Sequence, residues 1–291
     1  MPLTTAQAFD AFLFKITPTD DQRADIRNKR FATEKYLREA FAPSSTLPLK
    51  RVILIGSADR ATIIRPVNDV DVLAEFIDKD RIYDKQYRRD SGAFLQRIRK
   101  ALDAKTSIKK IGARGQAVRL FYVNGAHVDI APVFKWDNSS GYGLPRGDGG
   151  WMTTDPEAQA AWFTKRRETI GSCLTPMCKL VRRWNRVHSH HFESFHLEVM
   201  VASMFKTIGS NYRTAMRSFF EWGPKWINVS DPAGHSGRLD DYLTKSALVA
   251  IRSRFDEAHE RAERAIEAEG RGDHTKAKEL WRIELGDEFP A

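Results

Sequence analysis

The chain has 291 residues, 42% hydrophobic and 29% charged, and 47 lysines and arginines against 38 acidic residues give a net charge of +9. This composition is typical of a soluble globular protein of one large domain or two lobes, and the absence of an apolar run of roughly 20 residues excludes a membrane helix. The start of the chain lacks a secretion signal, so we expect a cytoplasmic protein, and its charge suits an anionic partner such as a nucleotide, a nucleic acid or a membrane surface.

Helical and strand patterns alternate in the first half of the chain. Residues 17–41 predict a long helix, in which Thr19 and Gln22 have the spacing of a capping box. A β-rich run at 49–56 and the alternating run "DVDVLAEF" predict two strands. A helical pattern and three further candidate strands follow, at residues 91–105, 107–112, 116–123 and 126–134.

Strand signals stop near residue 150, where Pro145 and several glycines mark a change in composition. Helical patterns then dominate, at residues 155–170, 174–187, 194–205, 212–222 and 238–269. We therefore predict an α+β protein with two domains. Residues 1–150 form a lobe with a mixed sheet and N-terminal helices, residues 151–291 form a helical lobe, and a ligand site lies in the cleft between them.

The cysteines and a histidine-rich segment are both predicted to lack a metal role. Cys173 and Cys178 are too few for a disulfide scaffold, and their spacing fits neither a zinc knuckle nor a redox CxxC motif, so we predict ordinary helical thiols. The histidines of "VHSHHFES", His188, His190 and His191, stand between two helical patterns. A solvated turn is the favoured interpretation for them.

Two aspartates lie close together in the strand "DVDVLAEF". Asp69 and Asp71 share one face, because successive side chains of a strand point to opposite faces, and Val70 and Val72 face the other way. Their Cα atoms are roughly 6.6 Å apart, so the carboxylates can bracket one or two magnesium ions. Asp129, in "HVDIAPVF", offers the third carboxylate that a two-ion site needs. An exposed pair of turn aspartates is the alternative, but the apolar neighbours indicate half-buried strands, where repelling carboxylates need cations.

Gly56 and Ser57 follow the apolar strand "VILI" and open a short turn or helix. Glycine lets a phosphate approach the backbone, and the serine hydroxyl adds a hydrogen-bond donor. By itself this dipeptide has little meaning, since it ends many strands. The order of a strand, a glycine-serine turn, a strand with DxD and a strand with a lone aspartate is that of a polymerase-β-like nucleotidyltransferase.

Four segments resemble one branch of these enzymes, the bacterial cGAS/DncV-like nucleotidyltransferases, also called CD-NTases or SMODS proteins. The segments are "GSADRATIIRPVNDVDVL", "VDIAPVF", "LVRRWN" with "SFHLE" after it, and "LWRIELGDEFP", and they extend from about residue 50 to the C-terminus. One departure is Ala61, where members of the family often carry glycine in a GSxxRGT stretch. The extra methyl group could stiffen the turn, but it removes no ligand.

The resemblance implies a role for several side chains. The three aspartates would bind two Mg²⁺ ions, with Mn²⁺ as a possible substitute, and Gly56 and Ser57 would cradle the donor triphosphate. Lys179 and Ser194 would reach its outer phosphates, and Phe195 would stack on a base. Without the resemblance, Lys179 fits a solvated helix face, Ser194 an N-cap, and Phe195 the core.

The resemblance also implies a function, the synthesis of a cyclic di- or trinucleotide from NTPs with release of pyrophosphate, as a signal in antiphage defence. A separate effector protein would sense the product and a regulatory partner is possible, whereas neither a membrane nor bound nucleic acid is required. Two alternatives stay open: transfer to another acceptor, such as an RNA 3'-end or a small molecule, and a catalytically inactive nucleotide-binding module. All three aspartates are present, which favours an active enzyme.

Overall fold

The computed structural model describes residues 2–103, 108–123, 125–137 and 140–290. The chain divides into two compact units. We call one the sheet unit (Pro18–Arg60 and Pro66–Ala160) and the other the helical unit (Met1–Thr17, Ala61–Arg65 and Ala161–Ala291). This division differs from the predicted boundary at residue 150, because the N-terminal helix and residues 61–65 group with the helices, and residues 151–160 group with the sheet.

A mixed sheet forms the centre of the sheet unit. Within the described residues its strand order is β1-β2-β5-β4-β3, with β6 paired to β5 and β7 paired to β6. Only the β2–β5 pairing among these is parallel. The strands are β1 (Leu49–Leu54), β2 (Asp69–Phe76), β3 (Ile108–Arg114), β4 (Ala117–Tyr122), β5 (His127–Lys135), β6 (Tyr142–Pro145) and β7 (Trp151–Thr154), and the helices are α2 (Asp20–Ala40), α3 (Gly56–Asp59) and α4 (Ser91–Leu102). The predicted α+β class with a mixed sheet is confirmed.

Local sequence signals predict most of these elements. Thr19 caps α2 through the predicted capping box with Gln22, and β2 has the predicted bounds. The β6–β7 hairpin is not predicted, because its short strands lie among the glycines and the proline that favoured a loop. Packing explains why residue 143 of β6 is a glycine, because a Cβ on Gly143 would overlap the Trp136 ring.

The central strands bury one face completely. Val70 and Val72 of β2 and Val128 and Ile130 of β5 have no exposed surface. Aromatic rings extend this face, and Phe94 of α4 packs against it. The aspartates of β2 and β5 therefore lie on the opposite face, as the alternation predicted.

The helical unit is built around a large apolar core. Its helices are α1 (Thr5–Ile16), most of α5 (Pro156–Ile170), α6 (Leu174–Val187), α7 (Ser194–Met204), α8 (Tyr212–Trp222), α9 (Lys245–Gly270) and α10 (His274–Leu285). Phe9 of α1 packs edge-on against Trp281 of α10, with ring centroids 5.0 Å apart, and also contacts Phe289. These contacts explain why the first helix belongs to this unit. In the described part of the chain, no helix has the length and apolar character needed to span a membrane.

The two cysteines and the histidine-rich segment lie in or next to α6. Cys178 is buried in α6, Cys173 is its N-cap, and neither forms a disulfide with a described residue. The predicted turn after α6 is present, but the solvated interpretation is wrong for His188, whose side chain is only 10% exposed. Its Nε2 lies 3.2 Å from Oε2 of the buried Glu284, because a carboxylate without water needs polar partners.

Candidate active site

The pairing of β2 with β5 places two of the predicted site residues side by side. Asp71 is directly opposite Asp129, and Asp69 is opposite His127. Neighbouring strands are about 4.8 Å apart, so the Asp71 and Asp129 side chains leave the sheet from adjacent positions on one face. Asp71 and Asp129 are half-buried, whereas Asp69 is more exposed than expected because β2 begins at it.

Gly56 brings the glycine-serine turn against the first of these carboxylates. It begins α3 one residue after the end of β1, with a φ of 68°, which is costly for a residue with a side chain. A Cβ built on Gly56 would lie 2.7 Å from Oδ2 of Asp71, and the Ile55 amide donates to the Asp71 carbonyl at 3.1 Å. Ser57 follows as the second residue of α3. The turn and the carboxylates therefore belong to one site.

Arg119 on β4 is a site residue that the sequence did not predict. It pairs across the strands with Asp129, and its Nε and Nη2 donate to the two carboxylate oxygens at 2.7 and 2.6 Å. These hydrogen bonds raise the pKa of Arg119, and the charges of Asp69 and Asp71 add to the effect. The alternation of "AVRLFY" places Arg119 on one face of a strand, but only the register of β4 with β5 shows which carboxylate it meets.

The residue types at this site fit a hard cation. Carboxylate oxygens are the ligands that Mg²⁺ prefers, and adjacent carboxylates need positive charge nearby. Over the ranges that the structure describes, no three carboxylate, imidazole or thiol groups are arranged so that they could hold a metal ion. Both Asp129 oxygens accept hydrogen bonds from Arg119.

Comparison with known proteins decides the family. The sequence profile of the Second Messenger Oligonucleotide or Dinucleotide Synthetase domain, SMODS, matches residues 3–166, which is more than half of the chain. The chain belongs to the SMODS family. The resemblance inferred from the motifs is thus confirmed, and so is the predicted class of activity, a nucleotidyltransferase that makes an oligonucleotide second messenger.

Relatives and solved structures agree with this assignment along the whole chain. A probable cyclic nucleotide synthase of Bacillus cereus is 28% identical over 100% of this chain and 99% of its own length. A cyclic AMP-AMP-AMP synthase of Acinetobacter is 26% identical over 99% of this chain and 86% of its own. Two structures of CdnC from E. coli MS115-1, one with ATP and one in a complex with HORMA-deltaN, have TM-scores of 0.79 at 19% identity, and each comparison covers at least 97% of both chains. They show that this SMODS protein has the same fold.

The other predicted site residues of the SMODS protein lie in the helical unit. Lys179 on α6 donates from Nζ to Thr17 Oγ1 at 3.2 Å. Ser194 is the first residue of α7 but not its N-cap, which is Glu193, and Phe195 is partly buried against the core. The aspartates lie in the sheet unit, so the nucleotide-binding roles of these three residues stay predictions.

A hydrogen-bond network orients the start of α7. His196 Nε2 donates to the Ile227 carbonyl at 2.7 Å, which leaves Nδ1 to accept from the Tyr242 hydroxyl at 2.9 Å. The same hydroxyl accepts from the Glu193 amide at 2.8 Å. Burial lowers the pKa of His196, which keeps the ring neutral near pH 7. The sequence offered no sign of Tyr242, because it lies 46 residues after His196.

Replacing Gly56 by alanine is expected to reduce nucleotidyl transfer by roughly 10- to 100-fold. The new methyl group would require the positive φ to be kept at a cost of about 1 kcal/mol and would displace the Asp71 carboxylate. Initial rates with labelled NTPs measure the effect. Gly149→Ala is the control, because Gly149 also has a positive φ, 87°, but no atom lies within 4 Å of its added Cβ. Equal rates for the two variants would contradict the role assigned to Gly56.

Ala61, the departure from the family pattern, has a left-handed backbone with a φ of 57°. The next residue is anchored: the Thr62 hydroxyl donates to Glu198 Oε1 at 2.6 Å, and Arg182 donates to the same oxygen at 2.8 Å. Thr62 and Glu198 are fully buried. This anchor explains how an alanine is held in a conformation that favours glycine.

Ala61→Gly is expected to stabilise the folded protein by about 0.5–1 kcal/mol. Glycine removes the steric cost of the left-handed conformation, and part of that gain is offset by its greater freedom in the unfolded chain. The midpoint of urea unfolding measures the change. The control Ala58→Gly is expected to destabilise the folded protein instead, because Ala58 lies in α3, where glycine costs about 1 kcal/mol. A loss of stability in Ala61→Gly would show that the φ of Ala61 carries no strain.

Proposed function

We propose that this SMODS protein joins NTPs into a cyclic di- or trinucleotide at a magnesium site formed by Asp69, Asp71 and Asp129. The observation that supports this site most strongly is the β2–β5 register, which pairs Asp71 with Asp129. Gly56 adds to it, because the turn proposed to hold the triphosphate lies against Asp71. Carboxylates on adjacent strands beside a turn that suits phosphate would position a metal ion and a triphosphate for nucleotidyl transfer.

Bound Mg²⁺ would supply charge neutralisation on the triphosphate and a more acidic attacking hydroxyl. The protein supplies position. Asp71 and Asp129 project from paired strands, and a sheet holds its side chains more precisely than a loop does. Gly56 and Ser57 would hold the donor triphosphate so that a 2'- or 3'-hydroxyl attacks its α-phosphate, and pyrophosphate leaves. The linear product would then be turned and closed in the same site.

We also propose nucleotide-binding roles for three residues of the helical unit. Lys179 carries a positive charge on α6, and Ser194 presents a hydroxyl at the first turn of α7, so both suit the outer phosphates of the donor. Phe195 is only partly buried, which leaves part of its ring for stacking on a base. His196 and Tyr242 would keep this end of α7 in place.

The relatives suggest the substrates and the biological setting. The Acinetobacter relative is a cyclic AMP-AMP-AMP synthase and CdnC was solved with ATP, so ATP is the first substrate to test. CdnC also forms a complex with HORMA-deltaN, and other relatives are CBASS oligonucleotide cyclases. We infer that this chain makes a signal for antiphage defence, that a separate effector senses it, and that a regulatory protein can bind the enzyme.

Incubation of the purified protein with the four labelled NTPs and Mg²⁺ or Mn²⁺, followed by phosphatase, tests the proposed function. A small phosphatase-resistant product is expected, and mass spectrometry would identify its bases and ring size. An elongated RNA would show a different acceptor. The absence of any product with every NTP mixture, with and without a HORMA partner, would favour a binding module.

A further inference from the structure

Arg119 is held at the candidate site by an ion pair with Asp129. Its guanidinium makes two parallel hydrogen bonds to Asp129, and the two side chains are 28% and 18% exposed. Such fork-shaped pairs fix both partners and are among the stronger ion pairs. Both oxygens of Asp129 are therefore engaged by the protein itself.

The positive charge of Arg119 interacts with all three aspartates of the candidate site. Besides Asp129, the charges of Asp69 and Asp71 also act on it. His127 also lies near the pair, with Nε2 3.8 Å from Asp129 Oδ2, beyond hydrogen-bond distance. Arg119 thus supplies the positive charge that the carboxylates need without a metal ion.

We propose that Arg119 is the resident counter-cation of the acidic site, and that a divalent ion must displace it from Asp129 in order to bind. Metal binding is then an exchange of one cation for another at the same carboxylate. This inference rests on the proposed magnesium site. It adds to that site a residue that sets metal affinity without contacting the metal ion.

Two consequences follow from an exchange. The free energy of breaking the Arg119–Asp129 pair weakens the apparent affinity for a divalent ion. Without metal, the same pair stabilises the fold by limiting repulsion among the three carboxylates. Removing the guanidinium should therefore tighten metal binding and destabilise the metal-free protein. A residue that supports the fold without competing with the metal ion would weaken metal binding when it is lost, so the sign separates the two roles.

Titration of the full chain with Mn²⁺ in the absence of nucleotide, followed by electron paramagnetic resonance of the free ion, measures this affinity. Arg119→Gln is expected to bind Mn²⁺ about tenfold more tightly than the wild type, the scale expected for one partly exposed charge beside the site. Arg119→Lys keeps the charge but cannot make two parallel hydrogen bonds, so its Mn²⁺ affinity should lie between those of the wild type and Arg119→Gln. Arg146→Gln breaks an exposed Arg146–Asp148 pair of 2.9 Å in the same unit and should leave the affinity unchanged.

The melting temperature is the second measurement. Metal-free Arg119→Gln is expected to melt below the wild type, and saturating Mn²⁺ should raise its melting temperature by more than it raises that of the wild type. Equal or weaker Mn²⁺ binding by Arg119→Gln would overturn the exchange while leaving the magnesium site intact. If neither protein binds Mn²⁺, or if Asp71→Asn binds it as well as the wild type does, the proposed site itself is wrong.

Discussion

Replacing any one of Asp69, Asp71 and Asp129 by asparagine is expected to lower oligonucleotide synthesis by about 1,000-fold or more. Asparagine keeps the size of the side chain but removes the charge that a divalent ion requires, and metal-ion catalysis stabilises the transition state by several kcal/mol. Initial rates of product formation from labelled NTPs, at saturating Mg²⁺, measure the loss.

The controls for these variants separate chemistry from folding. Asp148→Asn changes an exposed carboxylate of the same unit, paired with Arg146, and should retain the wild-type rate. Asp129→Asn also removes the anionic partner of Arg119, so its urea unfolding must be measured beside its activity. Near wild-type turnover in either Asp71→Asn or Asp129→Asn would show that the paired carboxylates are not the catalytic ligands.

Glu284→Gln is expected to destabilise the folded protein by about 3 kcal/mol. Glu284 has no exposed surface, and its carboxylate accepts from Arg261 at 2.8 Å and from the Trp184 indole at 3.1 Å, with His188 also in contact. Removing the Glu284 charge leaves the positive charge of Arg261 without its anionic partner in a buried site, which is strongly destabilising. Glu279→Gln on the same helix changes an exposed pair with Lys276 and should cost less than 1 kcal/mol. Equal urea midpoints for the two variants would contradict the role of the buried network.

The Glu284 carboxylate is also expected to make the free energy of unfolding fall at low pH. Burial alone would raise the pKa of Glu284, but the contacts with His188 and Arg261 outweigh it and hold the pKa below the ordinary value of 4.5. The unfolded chain therefore binds the proton more readily than the folded one. The stabilisation is fully present above pH 4.5 and is lost as the pH falls through the lowered pKa. As the pH falls below about 4.5, the stability of Glu284→Gln, measured by urea unfolding at each pH, should decline less than that of the wild type.

Short-range patterns explain why so much of the fold was predicted from sequence. The capping box of α2 and the alternation of β2 are signals within a few residues, and both predict the observed element. Contacts between distant segments could not be found in this way. Phe9 meets Trp281 only after folding, so no local pattern could group the first helix with the helical unit. The hairpin of β6 and β7 was not predicted because glycine and proline usually indicate a loop, whereas Gly143 here lies in a strand and permits a close contact with Trp136.

The candidate site likewise contains residues that local patterns predict and one residue that they do not. Asp69, Asp71 and Asp129 were predicted from residue type, alternation and order along the chain, and Gly56 from its place after an apolar strand. Arg119 required the register of β4 with β5, which no local pattern specifies. A single arginine among 47 basic residues carries no signal until its carboxylate partner is known.

Diffraction from crystals soaked with Mn²⁺ and a non-hydrolysable NTP analogue, with anomalous scattering to locate the metal, tests the central claim most directly. We expect a manganese ion about 2.1 Å from oxygens of both Asp71 and Asp129, with the triphosphate against Gly56 and Arg119 separated from Asp129. Manganese and nucleotide bound elsewhere, with Arg119 still paired to Asp129, would contradict it.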